Sequence, residues 1–145
     1  MTQKIRLTSD EMSYIALFEN VTGAVATDCI IDEERNRIIF VVKPGDVGLA
    51  IGKHGSRIKL VKNMVQKDIE IVEYADNPEA FIRNSFAPAR IKEIRITDRL
   101  DNKKVAVVLV ENKDKGIAIG KSGKTAERTR FLAKRYFQID NVVIR

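Results

Sequence analysis

The apolar positions of this chain change their period several times, and each change marks an element. Met12, Ile15, Ala16 and Leu17 recur at helical spacing behind Thr8, with Glu11 placed to close a capping box. A helix is therefore predicted over about 9–20. AVATDCII (24–31) and RIIFVV (37–42) are β-rich runs around the polar turn Asp32–Asn36, and are predicted as strands. A short helix should cover Val47–Ile51, and Gly52–Gly55 should break it. A second helix should follow over about 56–67, with Ile58, Val61 and Val65 on one face. EIVEY (70–74) reads as a strand.

The succession restarts at Asn77-Pro78-Glu79. Asparagine suits the N-cap and proline the first helical position. That helix carries Phe81, Ile82 and Phe86 and should stop near Pro88. Strands are predicted over 90–97 and 103–110, around Arg99–Asn102. A short helix, a glycine break at 120–123, a helix over about 124–136 and a strand over 141–145 complete the pattern. Each half thus reads α-β-β-α-α-β, an α+β fold.

The chain also repeats at the level of residues. VGLAIGKHG (47–55) aligns with KGIAIGKSG (115–123) at an offset of 68, and RIIFVVKPGD (37–46) with VAVVLVENKD (105–114). Two copies of this size indicate two small similar domains, 1–75 and 76–145. The linker Ala75–Asn77 is short enough to expect a nearly fixed angle between them. KKVAVVLV is apolar on both alternating faces: Val105, Val107 and Leu109 on one, Ala106, Val108 and Val110 on the other. That pattern suits a covered central strand or a strand with one face open to a protein partner.

A chain of 145 residues with 44% hydrophobic and 32% charged residues is long and apolar enough to fold. No apolar run approaches the roughly 18 residues of a membrane span, and the N-terminus has no signal core. A cytoplasmic protein without membrane contact is expected. The single cysteine, Cys29, lies in a strand run and reads as a small core residue. Net charge is +6, the balance of a polyanion binder. Residues 1–75 carry −1 and residues 76–145 carry +7, so if only one half binds, the second is expected to be it. Lys43, Lys53, Arg57, Lys59, Lys62 and Lys67 still cluster in the first half, opposed over 43–67 only by Asp46.

GIAIGKSGKT (116–125) looks like a nucleoside triphosphate loop, G-x-x-x-x-G-K-[ST]. Both registers fail: the first glycine would fall on Lys115 or on Ala118. The sister stretch, Gly52-Lys53-His54-Gly55, has no hydroxyl for magnesium. What the two copies share is I-G-K-x-G between two helices. Paired glycines permit a tight turn and a close approach, and the following helix offers free N–H groups. A phosphodiester backbone can lie there, with Lys53, Lys121 and Lys124 adding charge that reads no base. His54 is the only histidine and has no partners for a zinc site. Ser122 has no visible base, and Asp32, Glu33 and Glu34 read as a turn. No catalytic residue, metal or cofactor is expected.

This pair of glycine breaks resembles the KH domain, which clamps RNA with a GxxG loop. A helix and two strands ahead of the loop resemble its type II form. The resemblance implies single-stranded RNA as ligand. The residues it implicates are Ile51, Gly52, Lys53, His54, Gly55, Arg57, Ile58 and Lys59, then Ile119, Gly120, Lys121, Ser122, Gly123 and Lys124. A KH groove has aliphatic walls, for which Leu49, Ala50, Ile51 and Ile58, and Ile117, Ala118 and Ile119, are candidates. Ile51 and Ile119 suit groove and core equally, whereas Leu49 and Ile117 read as core. The tandem order is similar to that of the NusA family of transcription elongation, termination and antitermination factors in its short archaeal form. Bacterial members carry a polymerase-binding domain and an S1 domain ahead of two KH domains, whereas this chain is expected to open directly on the first unit. The resemblance implies RNA polymerase or other transcription machinery as partner, and a monomer is expected. A ribosome-associated or RNA-processing adaptor that works through protein contacts is the alternative.

Overall fold

The computed structural model describes residues 5–145; residues 1–4 of the expected first domain lie outside the described residues. The described chain divides into two compact units, Ile5–Tyr74 and Ala75–Arg145.

The first unit runs α1 (Ser9–Thr22), β1 (Ala26–Asp32), β2 (Arg37–Val42), α2 (Val47–Ile51), a 3-10 turn (Lys53–Gly55), α3 (Ser56–Val65) and β3 (Asp68–Glu73). The capping box forms: the Glu11 amide donates to Thr8 Oγ1 at 3.2 Å and the Thr8 amide to Glu11 Oε1 at 2.7 Å. α1 continues past the expected end and stops where Gly23 turns left-handed, at φ 77°. α3 ends before the expected position 67 because Gln66 adopts φ 60° and its amide bonds back to the Lys62 carbonyl. β3 consequently opens early, at Asp68, whose amide donates to the Asn36 carbonyl at 3.0 Å.

β2 is the central strand, antiparallel to β1 and parallel to β3. Its helix-facing side chains Ile38, Phe40 and Val42 join Phe18, Cys29, Ala50 and Val61 in one core. The Phe18 and Phe40 rings stack at 4.1 Å, so α1 is fixed to the sheet by a large apolar contact. On the opposite face Ile39 and Val41 are also buried. There Arg37 lies between Asp32 Oδ2 at 2.8 Å and Glu70 Oε1 at 3.0 Å. Burial pushes the Asp32 carboxyl up, but hydrogen bonds from Arg37 and the Arg35 amide outweigh it and hold the group below its ordinary range. The carboxylate turn therefore serves the sheet.

The second unit repeats the plan with α4 (Pro78–Phe86), β4 (Ile91–Asp98), β5 (Lys104–Val110), a 3-10 turn (Asn112–Asp114), α5 (Lys115–Ile119), a 3-10 turn (Lys121–Gly123), α6 (Lys124–Phe137) and β6 (Asn141–Ile144). Asn77 caps α4 by accepting from the Ala80 amide at 2.9 Å. β5 is central, antiparallel to β4 and parallel to β6. Ala106, Val108 and Val110 pack with Ile82, Phe86, Ala133 and Val142. On the alternate face Val105 is buried and Val107 and Leu109 are half-buried, as a central strand requires. The turn at Asn112–Asp114 was not legible beforehand, because its polar residues carry no period. Both units are α+β, each a three-stranded mixed sheet with three helices.

Candidate nucleic-acid interface

In each unit a five-residue helix leads into the glycine turn, and a longer helix leaves it. The turns have nearly the same backbone. Gly52 sits at φ 75°, ψ 172° and Gly120 at φ 81°, ψ 164°. His54 (φ 55°, ψ 28°) and Ser122 (φ 55°, ψ 26°) are both left-handed, as are Gly55 (φ 74°, ψ 18°) and Gly123 (φ 76°, ψ 14°). The Gly55 amide donates to the Gly52 carbonyl at 3.1 Å and the Gly123 amide to the Gly120 carbonyl at 3.0 Å.

The two glycines of a turn do different jobs. A Cβ on Gly120 would lie 2.5 Å from Thr125 Oγ1 and 2.8 Å from its backbone nitrogen; on Gly52 it would lie 2.7 Å from Arg57 Cγ. The first glycine is thus needed for both its conformation and its lack of a side chain. At Gly123 nothing lies within 4 Å, and at Gly55 only ordinary contacts occur, so the second glycine serves the left-handed turn alone.

A pair of aspartates anchors these elements. Asp46, just before α2, accepts from the Val25 amide at 2.7 Å, and Asp114, just before α5, accepts from the Arg90 amide at 2.8 Å. Both bonds tie the start of the loop element to the chain leading into the first strand. Sequence reasoning missed this role, although the two aspartates occupy equivalent places in the repeat.

The predicted residues gather around the turns. Lys53, His54, Lys59, Lys121, Ser122 and Lys124 are exposed, and the four glycines and Ile58 are half-buried. Among the described residues Lys53, Lys59 and Lys121 make no ion pair, whereas Lys62 pairs with Asp68 at 3.1 Å and Lys67 with Glu33 at 3.6 Å. Arg57 is exposed, and its Nη1 donates to the carbonyls of Val21 and Thr22 at 3.1 and 3.2 Å. Part of its guanidinium therefore caps the end of α1.

The aliphatic residues correct the sequence reading. Leu49 and Ile117, read as core, are 50% and 47% exposed; Ile51 and Ile119 are 39% and 43% exposed. Ala50 and Ala118 are fully buried and line no open wall. In a helix this short only one side meets the sheet, through Val47 and Ala50 in α2 and Ala118 in α5. The larger aliphatics fall on the open side beside the glycine turn.

A helix, two strands, a GxxG turn between helices and a returning strand, present twice, define a tandem type II KH protein. Family models agree: residues 13–76 match the KH domain and residues 78–141 match the NusA-like second KH domain. A probable transcription termination protein NusA of Halococcus morrhuae is 38% identical over 96% of this chain and 97% of its own. The protein of the same description from Methanocaldococcus jannaschii is 35% identical over 97% of this chain and 75% of its own. The crystal structure of APE1850 superposes with a TM-score of 0.85 at 42% identity, covering 96% of this chain and all of that one. This chain belongs to the NusA family. None of its described helices is long and apolar enough to cross a membrane.

Proposed function

We propose that this protein binds single-stranded RNA through both GxxG turns and acts on transcription as a NusA-like elongation, termination or antitermination factor. The spans 1–75 and 76–145 each act as one KH domain in this reading. The observation that carries it is the matched backbone of the two turns, each ending in a helix N-terminus with exposed lysine beside it. Phosphates would lie against the turn at the positive N-terminal ends of α3 and α6. Ile51 and Ile58, and Ile119, would offer apolar surface to the bases. No step of bond cleavage is involved, so the chain is a binder and not an enzyme. It would act as a monomer in the cytoplasm, with RNA polymerase or associated transcription machinery as its protein partner.

The adaptor reading draws on Leu60 and Met64, one turn apart on α3 and 51% and 53% exposed. Salt separates the two. RNA held by phosphate contacts should weaken with a slope of about −0.7 per contact in log K against log salt. Fluorescence anisotropy with labelled single-stranded RNA over a salt series measures it. Weak, salt-insensitive binding would favour the adaptor.

A further inference from the structure

The two turns share a backbone but not their surroundings. Over residues 52–59 the first unit carries Lys53, Arg57 and Lys59 and no acid, a net charge of +3. Over the equivalent 120–127 the second carries Lys121, Lys124 and Glu127, a net charge of +1. Lys59 and Glu127 occupy the same place, in the first turn of α3 and of α6.

Lys59 is also folded toward its loop. Its Cε would lie 3.6 Å from a Cβ built on Gly55, so the aliphatic stem crosses the open side of that glycine. At Gly123 no atom comes within 4 Å. The first turn therefore carries a second ammonium group held close to it, with no ion pair among the described residues. The second turn has a carboxylate on the adjoining helix at that position.

We infer that the two units grip the RNA backbone unequally, with the first the tighter, and that Lys59 against Glu127 sets the difference. The inference rests on RNA binding at the turns. It runs against the expectation from bulk charge, in which the +7 of residues 76–145 marks the second unit. Part of that charge is committed to the fold, as Arg57 is in the first unit through the Val21 and Thr22 carbonyls. Arg128 is buried and donates to the Ser85 carbonyl, Arg130 Nε donates to the Val142 carbonyl at 3.1 Å, and Lys134 pairs with Asp140 at 2.6 Å. A division of this kind would let the first unit hold the RNA while the second samples it.

The test uses the full chain with one turn disabled at a time. Lys53→Asp with His54→Asp leaves the second turn, and Lys121→Asp with Ser122→Asp leaves the first. The probe is a fluorescein-labelled single-stranded RNA of random sequence, about five nucleotides long to suit one KH unit. The pool averages out base preference. The chain with the first turn intact should bind about fivefold more tightly at low salt. Glu127→Lys, placed in the chain retaining only its second turn, should raise affinity about as much and steepen the salt slope by roughly 0.7. Lys59→Glu in the other chain should do the reverse. The gain at Glu127 cannot come from misfolding. Equal or tighter binding by the second turn, or no response to Glu127→Lys, would overturn the inference while leaving RNA binding in place. Undiminished binding with both turns disabled would overturn the loop reading and this inference with it.

Discussion

Gly120→Ala should destabilise the second unit far more than Gly123→Asn, although the two positions belong to one motif. At Gly120 the backbone sits at φ 81°, ψ 164°, a region open essentially to glycine. Forcing a side chain there costs about 1–3 kcal/mol. The new Cβ would also stand 2.8 Å from the Thr125 nitrogen, part of the α6 backbone, which cannot rotate away. Overpacking of this kind adds about 1–3 kcal/mol. For a unit of this size each kcal/mol lowers Tm by about 4–8 °C, so a fall of roughly 10 °C or more is expected. At Gly123 the space is open and φ is 76°, ψ 14°, which asparagine tolerates. That substitution should cost about 1 kcal/mol, the low end of the left-handed penalty. Thermal melting by circular dichroism reads both. A Gly120→Ala protein that melts like the parent, or a Gly123→Asn protein that falls as far, would refute the division of labour between the glycines.

Three further outcomes are expected. Purified protein should show no magnesium-dependent ATP or GTP turnover; turnover lost on Lys121→Ala would contradict this. A single-stranded RNA of about eight nucleotides should bind far better than one of about four, because the linked second unit then engages intramolecularly; equal affinities in an anisotropy titration would leave one working unit. Acid should unfold the chain partly through Asp32 and Asp140. The Asp140 carboxyl is held below its ordinary value by hydrogen bonds from Lys134 and the Lys104 amide, as Asp32 is by the neighbours that outweigh its burial. A lowered folded pKa gives stability that is complete above about pH 4 and disappears as pH falls through the folded value. Asp32→Asn should therefore lower Tm near neutrality and flatten its acid limb, and an unchanged limb would argue against the Arg37 pairing.

What could be read from the sequence was local or repeated. The Thr8–Glu11 box, the β-rich runs of β1 and β2 and the two I-G-K-x-G stretches each lie within a few residues, so their chemistry is visible in one window. The repeat then turned two weak glycine pairs into one strong signal. Features that depend on distant partners stayed hidden. Arg57 meets the end of α1 some 35 residues upstream, and Asp46 meets Val25 across 21. Leu49 and Ile117 were misread because a five-residue helix gives too few positions for a period to show which side is buried. The end of α3 slipped because left-handed Gln66 carries no glycine to announce it.

The central claim is that the turns hold RNA, and replacing Lys53-His54 and Lys121-Ser122 by Asp-Asp in one chain tests it most directly. All four positions are exposed, where substitutions usually cost no more than roughly 0.5 kcal/mol. The left-handed conformation of His54 and Ser122 suits aspartate, and its charge favours the helix N-termini that follow. Two ammonium groups would be lost, and four carboxylates would face the phosphates and compete with them for the positive ends of α3 and α6. Melting by circular dichroism and anisotropy with single-stranded RNA are read on the same protein. The account predicts a native-like melt with binding abolished. A native-like melt with undiminished affinity would contradict it.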